Sequence, residues 1–295
     1  MTPSWRVWVS AARPATLPAA VTPVLVGTGV AIRDDHFQAL LFLGALLAAA
    51  LIQIGTNLAN DLFDFEKGAD AVGRLGPPRV TQTGAASTGQ VRRATYLTFG
   101  AAGLVGLCLV LAGGWPILAI GLASIVAGLT YTGGPWPTGY HGLGDAVCFL
   151  FFGFIAVVGT YYLQAQTITP LAVAAAIPVS CIVTAILVVN NLRDMATDRR
   201  AGKCTLAVIL GDASTRVEFL LLMAGAYLVA AAIALSGAAP WAWLPWLTLP
   251  LGASLMRTVL HGAAGSSLND VLRRTAQLHL LFGVLMTGGL IASLR

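Results

Sequence analysis

Charged residues are scarce in this chain of 295 residues. Asp, Glu, Lys and Arg together make up 10% of the sequence, whereas 57% of it is hydrophobic. A soluble domain carries roughly a quarter charged residues, because its surface faces water. The low charge therefore excludes an ordinary soluble protein and predicts an integral membrane protein that has the bilayer as its solvent.

Cysteine is also scarce, and it shows no pattern typical of a bound metal. The four cysteines are Cys108, Cys148, Cys181 and Cys204, of which the first three lie in apolar stretches. No pair has the spacing of zinc ligands, and small buried thiols behave as core residues. The sequence thus predicts neither a disulfide nor a zinc site.

Long apolar stretches fill most of the chain. Since about 20 apolar residues cross the hydrocarbon of a bilayer, the stretches predict about nine transmembrane helices. We interpret residues 1–295 as one all-α membrane domain. The predicted spans begin near Thr16, Ala39, Ala94, Trp115, Ala146, Leu171, Phe219, Trp241 and Leu278.

The basic residues predict the orientation of these spans. If the N-terminus is cytoplasmic, only Arg33 and Arg295 of the 17 basic residues fall outside. Basic loops are retained on the cytoplasmic side of the cell membrane. The net charge of +5 is therefore explained by topology, and we expect a lipid bilayer around the chain and no nucleic-acid partner.

Two acidic clusters follow long apolar runs. Asn60-Asp61-Leu62-Phe63-Asp64 recurs in outline 130 residues later, within the segment from Asn190 to Asp198. The repeat predicts an internal duplication, with halves at about residues 14–132 and 142–260 and a final helix at 271–294. Four predicted spans separate the clusters, so both should emerge on the same face of the membrane, which the charge rule makes cytoplasmic.

The clusters have the chemistry of a metal site. Side chains three and four residues apart share one face of a helix, which gives one acidic stripe in each half of the chain. Two such stripes facing each other would form an all-oxygen site suited to Mg²⁺ or Mn²⁺, with two ions expected, and a diphosphate would complete the coordination. The stripes consist of Asn57, Asp61 and Asp64 and of Asn190, Asp194 and Asp198.

Basic side chains near the clusters would bind phosphate oxygens that the metal leaves open. Metal and cations together would stabilise a departing diphosphate, and departure from an allylic carbon would leave a carbocation in an apolar chamber. The candidates are Lys67, Arg74, Arg79, Arg193, Arg199 and Lys203.

Other interpretations explain less of the pattern. Asp and Asn also cap helices, but capping favours N-termini, whereas these clusters follow the apolar runs. A transporter would place its charges near the middle of the bilayer. Phosphatidyl transfer from a CDP-linked lipid would need a denser aspartate motif and fewer spans.

Several segments together carry a family resemblance. They are Arg13-Pro14-x-Thr16-Leu17-Pro18-Ala19, Gln53-x3-Asn57-x2-Asn60-Asp61-x2-Asp64-Phe65, Gly68-Ala69-Asp70, Arg74-x-Gly76-Pro77, Tyr131-Thr132-Gly133-Gly134, Gly142-Leu143-Gly144-Asp145, Gly159-Thr160-Tyr161-Tyr162-Leu163-Gln164 and Asn190-Asn191-x-Arg193-Asp194-x3-Asp198-x3-Gly202-Lys203-x-Thr205-Leu206. In these segments the chain resembles the UbiA superfamily of intramembrane aromatic prenyltransferases, and most of all the branch that prenylates 1,4-dihydroxy-2-naphthoate.

The resemblance implies nine helices around a central cavity, in which Mg²⁺ holds a polyprenyl diphosphate beside the aromatic acceptor. It also implies loss of CO₂ and diphosphate, and a demethylmenaquinol product in menaquinone synthesis. Homogentisate, 4-hydroxybenzoate or a porphyrin is the alternative acceptor. The implied roles are metal ligation by Asn60, Asp61, Asp64, Asp194 and Asp198; catalysis by Asp64, Asp194, Lys67, Arg79 and Lys203; and substrate binding by Arg13, Gln53, Asn57, Tyr131, His141, Asp145, Tyr162, Asn190 and Arg193.

Two positions depart from the family pattern. Gly68 stands where many relatives have a third aspartate, so Asp70 replaces that ligand or the ligand is missing. Pro135 stands where some relatives have the lysine of a Tyr-x3-Lys motif. We therefore expect the diphosphate to contact Lys67, Arg79 or Lys203 instead.

Overall fold

A computed structural model describes residues 3–69 and 75–294. Within these residues the chain is helical and forms no strand. A π-helical segment, Phe149–Ile155, joins α5 to α6, and a 3-10 segment, Pro240–Thr248, leads into α10. The helices are α1 (Trp5–Ala12), α2 (Pro18–Arg33), α3 (Ala39–Glu66), α4 (Thr88–Thr130), α5 (Gly144–Cys148), α6 (Ala156–Ala165), α7 (Pro170–Arg200), α8 (Leu206–Leu210), α9 (Asp212–Leu235), α10 (Leu249–Leu260) and α11 (Ser267–Ala292).

Helix α4 is two antiparallel halves joined at Gly114. Gly114 has φ 66° and ψ −161°, a conformation that breaks the helix and suits glycine, and Pro116 follows it. A Cβ atom on Gly128 would lie 3.2 Å from Cζ of Phe99. In a straight helix these residues would be roughly 40 Å apart. The chain therefore doubles back, and α4 accounts for two of the predicted spans.

The all-helical membrane architecture predicted from the sequence is confirmed. Among the described residues, 6 helices are long and apolar enough to cross a membrane, or up to 7 if the bent pair Trp5–Thr16 and Pro18–Arg33 is one span. The second half of α4 and the broken segment 240–260 account for the remaining predicted spans. The count of nine is thus approximate, because it depends on how the broken segments are treated.

Burial differs sharply between the helices. Of the most apolar window of α7, 72% is buried inside the protein, against 17% for α4. The largest core cluster packs α7 against α2, α9 and α11. A smaller cluster packs Val80 and Val91 against Leu58 and Leu62 of α3. This second cluster holds the loop after α3 close to the acidic end of that helix.

An apolar cavity of about 460 Å³ lies between α2, α3, α4 and the α5–α6 segment. Val24, Ile52, Leu109 and Phe151 are typical of its lining. Tyr131 also lines the cavity, directly after the last residue of α4. The cavity therefore extends as far as the chain segment that begins at Tyr131.

Candidate active site

The two acidic motifs meet at one end of the bundle. Asp64, near the end of α3, is 2% exposed, and its carboxylate lies 3.6 Å from Nζ of Lys203. The backbone N–H of Lys203 in turn donates to the carbonyl of Asp198 at 2.9 Å. Lys203 therefore connects the first motif to the second, as their predicted position on one face of the membrane requires.

Two further groups hold the Asp64 carboxylate. Nη1 of Arg79 lies 2.8 Å from one oxygen, and the hydroxyl of Tyr140 donates to the other at 2.7 Å. Burial raises the pKa of Tyr140, and the negative charge of Asp64 raises it further, with Asp198 adding a smaller effect in the same direction. Tyr140 is thus held against the first acidic motif by its bond to Asp64.

Tyr140 also lies beside two ammonium groups. Nζ of Lys67 is 4.8 Å from the centre of the Tyr140 ring, and Nζ of Lys203 is 5.2 Å from it. Lys67 donates to the carbonyl oxygens of Thr132 at 2.8 Å and Gly134 at 3.4 Å. Burial lowers the pKa of Lys67, with Asp64 opposing the shift and Lys203 adding to it. Sequence reasoning missed Tyr140, because no spacing marks it within the loop between two recognised segments.

Three residues on one stripe of α3 have three different partners. Asn57 donates to the carbonyl of Ala12 and to the hydroxyl of Thr16, both at 3.0 Å. The Asp61 carboxylate accepts from the hydroxyl of Thr81 at 2.8 Å and from the backbone N–H of Val80 at 3.2 Å. The predicted stripe is present, and its residues differ in their partners: Asp64 contacts basic residues, Asn57 orders the N-terminal segment and Asp61 orders the loop.

Gln53 and Asn60, also on α3, hold further segments around the site in place. Gln53 donates to the Thr16 hydroxyl at 3.2 Å, one turn before Asn57. The side-chain oxygen of Asn60 accepts from the Thr132 hydroxyl at 3.0 Å, and its backbone carbonyl accepts from Arg79 at 2.7 Å. Thr132 and Thr81 were not among the predicted residues, since a lone threonine gives no signal in a sequence.

In the second motif, a fork of hydrogen bonds holds Asp194. Arg193 donates from Nε and Nη2 to the two Asp194 oxygens, at 2.8 and 2.6 Å. The same guanidinium donates to Asn190 and to Asn269 of α11, each at 2.8 Å. Arg193 is 4% exposed. It therefore acts here as a fixed internal partner of Asp194 that ties α7 to α11.

The predicted acceptor residues are distributed unevenly. Tyr131 lines the apolar cavity, and burial raises its pKa, with Asp145 as the largest charge effect in the same direction. Asp145 is 5% exposed, and neither carboxylate oxygen has a hydrogen-bond partner among the described residues. His141 is exposed and stacks on Trp136 with ring centroids 4.5 Å apart. Arg13 ends α1 with φ 52°, beside the segment that Asn57 holds.

The structure does not bring Tyr162 to this site. Its neighbour Gln164 bonds to Thr28 and to the backbone N–H of Gln38, which precedes α3. Asp64 lies at the opposite end of that helix, roughly 40 Å along its axis. The binding role expected for Tyr162 therefore has no geometric support here. Asp70 and Arg74, which the sequence also suggested for the site, lie outside the described residues.

The donor set matches Mg²⁺ in kind. No group of three or more His, Cys, Asp or Glu side chains that could hold a metal is found within residues 3–69 and 75–294. Asp64 and Asp198 are nevertheless buried carboxylates, one from each acidic motif, and carboxylate oxygens are the ligands that Mg²⁺ prefers. Asp61, Asp64 and Asp194 each have protein partners that a bound ion would have to share or displace.

Taken together, the fold and the site define a multi-pass membrane protein with a charged cluster next to an apolar cavity. The model of the UbiA prenyltransferase family matches residues 20–282. The chain therefore belongs to the UbiA prenyltransferase family, whose members are enzymes that transfer prenyl groups.

Individual relatives agree with this assignment. The chain is 38% identical to the 1,4-dihydroxy-2-naphthoate octaprenyltransferase of Escherichia coli, over 98% of this chain and 96% of the relative. It is also 38% identical to the enzyme of the same name from Mycobacterium tuberculosis, over 97% of both chains. A UbiA homologue from Archaeoglobus fulgidus, solved bound to DMAPP and Mg²⁺, has the same fold, with a TM-score of 0.68 and 15% identity over 97% of this chain and 99% of that one.

Proposed function

We propose that this protein transfers a polyprenyl group from polyprenyl diphosphate to 1,4-dihydroxy-2-naphthoate. In this reaction a carbon–carbon bond forms at the ring carbon that bears the carboxylate, CO₂ and diphosphate leave, and demethylmenaquinol results. The main support is one observation: the two acidic motifs and three cations meet next to an apolar cavity. The names of relatives at 38% identity support the choice of acceptor.

The cavity would hold the hydrocarbon tail of the donor substrate, and the charged cluster would hold its diphosphate. The apolar lining suits a hydrocarbon tail, since burying apolar surface is favourable. Arg79, Lys67 and Lys203 would bind the diphosphate, because cations bind phosphate oxygens strongly in partly buried sites. Tyr131 lines the cavity directly before Thr132, which contacts the cluster. The bond that breaks would therefore lie near Tyr131.

Asn60, Asp61, Asp64, Asp194 and Asp198 would supply the oxygen ligands for Mg²⁺. Bound Mg²⁺ would stabilise the negative charge that develops on the leaving diphosphate. Asn57 and Gln53 would keep the N-terminal segment, including Arg13, in place over the site. Asn190 would support the Arg193 fork that positions Asp194.

The acceptor would enter beside Tyr131. Its ring is electron-rich, so it attacks the allylic carbon once the diphosphate begins to leave, and orientation supplies much of the acceleration. Asp145 is a candidate for holding an acceptor hydroxyl, since its buried oxygens lack hydrogen-bond partners among the described residues. His141 and Arg13 are candidates for contact with the acceptor carboxylate. Closure of the site against water would protect the carbocation.

We further propose that the site faces the cytoplasm of a cell with the chain in its plasma or inner membrane. The basic residues of the site and of its flanking loops support this orientation under the positive-inside rule. A water-soluble aromatic acid made in the cytoplasm would then reach the site directly.

Turnover of the purified protein tests the proposal. The assay supplies geranylgeranyl or longer diphosphates with 1,4-dihydroxy-2-naphthoate, homogentisate or 4-hydroxybenzoate, with Mg²⁺ or with EDTA. We expect a prenylated product and CO₂ release with the naphthoate only, and loss of turnover in EDTA. Preference for another acceptor would overturn the acceptor assignment, and turnover in EDTA would overturn the metal assignment.

A further inference from the structure

Both lysines of the chain lie at one tyrosine. The sequence has 17 basic residues, of which only Lys67 and Lys203 are lysines. Their ammonium groups lie 4.8 and 5.2 Å from the centre of the Tyr140 ring. Lysine carries a compact, strongly hydrated charge on a flexible stem, whereas arginine forms fixed forks. Two flexible cations thus lie on the same aromatic ring in the site.

Lys203 has a carboxylate nearby but no side-chain hydrogen bond. Its side chain is 12% exposed, and its Nζ lies 3.6 Å from Asp64, beyond ordinary hydrogen-bond length. It donates no side-chain hydrogen bond to any described residue. An ammonium group has three donors, and taking it out of water is costly unless partners replace the water. The Lys203 donors are therefore available to an anion that binds in the site.

The other cations of the site are held more tightly. Lys67 donates to two backbone carbonyl groups, and Arg193 forms a two-bond fork with Asp194. Arg79 donates to the backbone carbonyl of Asn60 as well as contacting Asp64. Lys203 is therefore the cation that can leave Asp64 at the lowest cost.

We propose that Lys203 is a placeholder cation for Mg²⁺ at Asp64. In the ligand-free protein it balances the Asp64 charge. When Mg²⁺ binds Asp64, the Lys203 ammonium moves to the diphosphate oxygens. This inference rests on the proposed function, since it takes Mg²⁺ and a diphosphate as the ligands.

The position of Lys203 makes the binding of Mg²⁺ and the binding of a diphosphate depend on each other. Mg²⁺ alone would have to bind Asp64 next to the positive charge of Lys203, and a diphosphate alone would draw Lys203 away and leave Asp64 to Arg79 and Tyr140. When both bind, each removes the obstacle to the other, so their binding free energies are coupled. The enzyme would then hold the metal firmly only when the diphosphate is present.

Calorimetric titration of the full-length protein in detergent tests this inference. The probes are Mg²⁺ without any diphosphate, and inorganic pyrophosphate in EDTA. In Lys203→Gln we expect Mg²⁺ to bind on the order of tenfold more tightly than in the unmodified protein, because a like charge near Asp64 is gone. We expect pyrophosphate to bind more weakly. In Lys67→Gln we expect weaker pyrophosphate binding with little change for Mg²⁺.

Arg92→Gln is the matched control. It removes one positive charge from an exposed pair with Glu66, at the same end of α3, and should change neither affinity. Thermal melting confirms that each variant is folded. An Mg²⁺ affinity of Lys203→Gln that is equal to or weaker than that of the unmodified protein, or undetectable in both, would overturn the placeholder role. If turnover of the unmodified protein is Mg²⁺-dependent, that result would leave the proposed function standing.

Discussion

The side chain of Asn57 joins the N-terminal segment to α3 by donating to the hydroxyl of Thr16 at 3.0 Å and to the carbonyl of Ala12 at 3.0 Å. Asn57 is 4% exposed, so both bonds are shielded from water. We expect Asn57→Ala to reduce the free energy of unfolding by about 1–3 kcal/mol, since it leaves buried groups without a partner. Thermal melting in detergent measures the loss. Thr98→Ala, which removes only a bond within α4, should change the melting temperature far less.

Asp64 is expected to be essential for prenyl transfer. Asp64→Asn removes the charge that holds Arg79 and Lys203 but keeps the size of the side chain. We expect turnover to fall by about 100-fold or more, as is usual when a group that stabilises transition-state charge is lost. The control is Asp270→Asn, in an exposed pair with Arg273 on α11. Turnover of Asp64→Asn close to that of this control would remove Asp64 from the mechanism.

The buried ion pair of Arg193 and Asp194 should destabilise the protein strongly when only one partner is replaced. Arg193→Met leaves the Asp194 carboxylate buried without its partner, which typically costs about 3–5 kcal/mol. Replacing both residues, as Arg193→Met with Asp194→Leu, should restore part of that stability while abolishing turnover. The exposed pair of Arg273 and Asp270 offers the comparison, because Arg273→Met should cost less than about 1 kcal/mol. Chemical denaturation of the three variants tests both expectations.

Gly128 lies where the two halves of α4 meet each other and contact α3. A Cβ atom there would lie 2.6 Å from Oγ1 of Thr56 and 3.2 Å from Phe99. We therefore expect Gly128→Ala to lower stability by about 1–3 kcal/mol through overpacking. Gly121 also lines the cavity, but nothing lies within 4 Å of the position of its added Cβ. Gly121→Ala should thus melt at or above the temperature of the unmodified protein.

Much of the architecture could be predicted from the sequence because the bilayer imposes simple rules. Apolar runs must be helical to satisfy their backbone hydrogen bonds, and the predicted starts near Ala94 and Trp115 correspond to the two halves of α4. That Gly114 is the turn between them was not evident, since a Gly-Gly pair within an apolar run is also compatible with a continuous helix.

The site was predicted in part, because spacing specifies a helix face but not the partner of each residue on it. Asp64 and Lys203, which belong to the two predicted motifs, lie 3.6 Å apart. Asp61 shares the stripe with Asp64, yet its oxygens bond to a loop about 20 residues further along the chain. Tyr162 was assigned through its motif alone, and the fold places it at the other end of the bundle. Tyr140 could be found only in three dimensions.

The contrast in burial between α7 and α4 has a practical consequence. The α5–α6 side of the hydrocarbon chamber is backed by α7, whereas the α4 hairpin packs on α3 and leaves most of its apolar surface to lipid acyl chains. A detergent that replaces the lipid acyl chains poorly should therefore loosen the chamber and impair turnover of long-tailed substrates. The charged end of the molecule is braced by the most deeply packed helix and should stay intact.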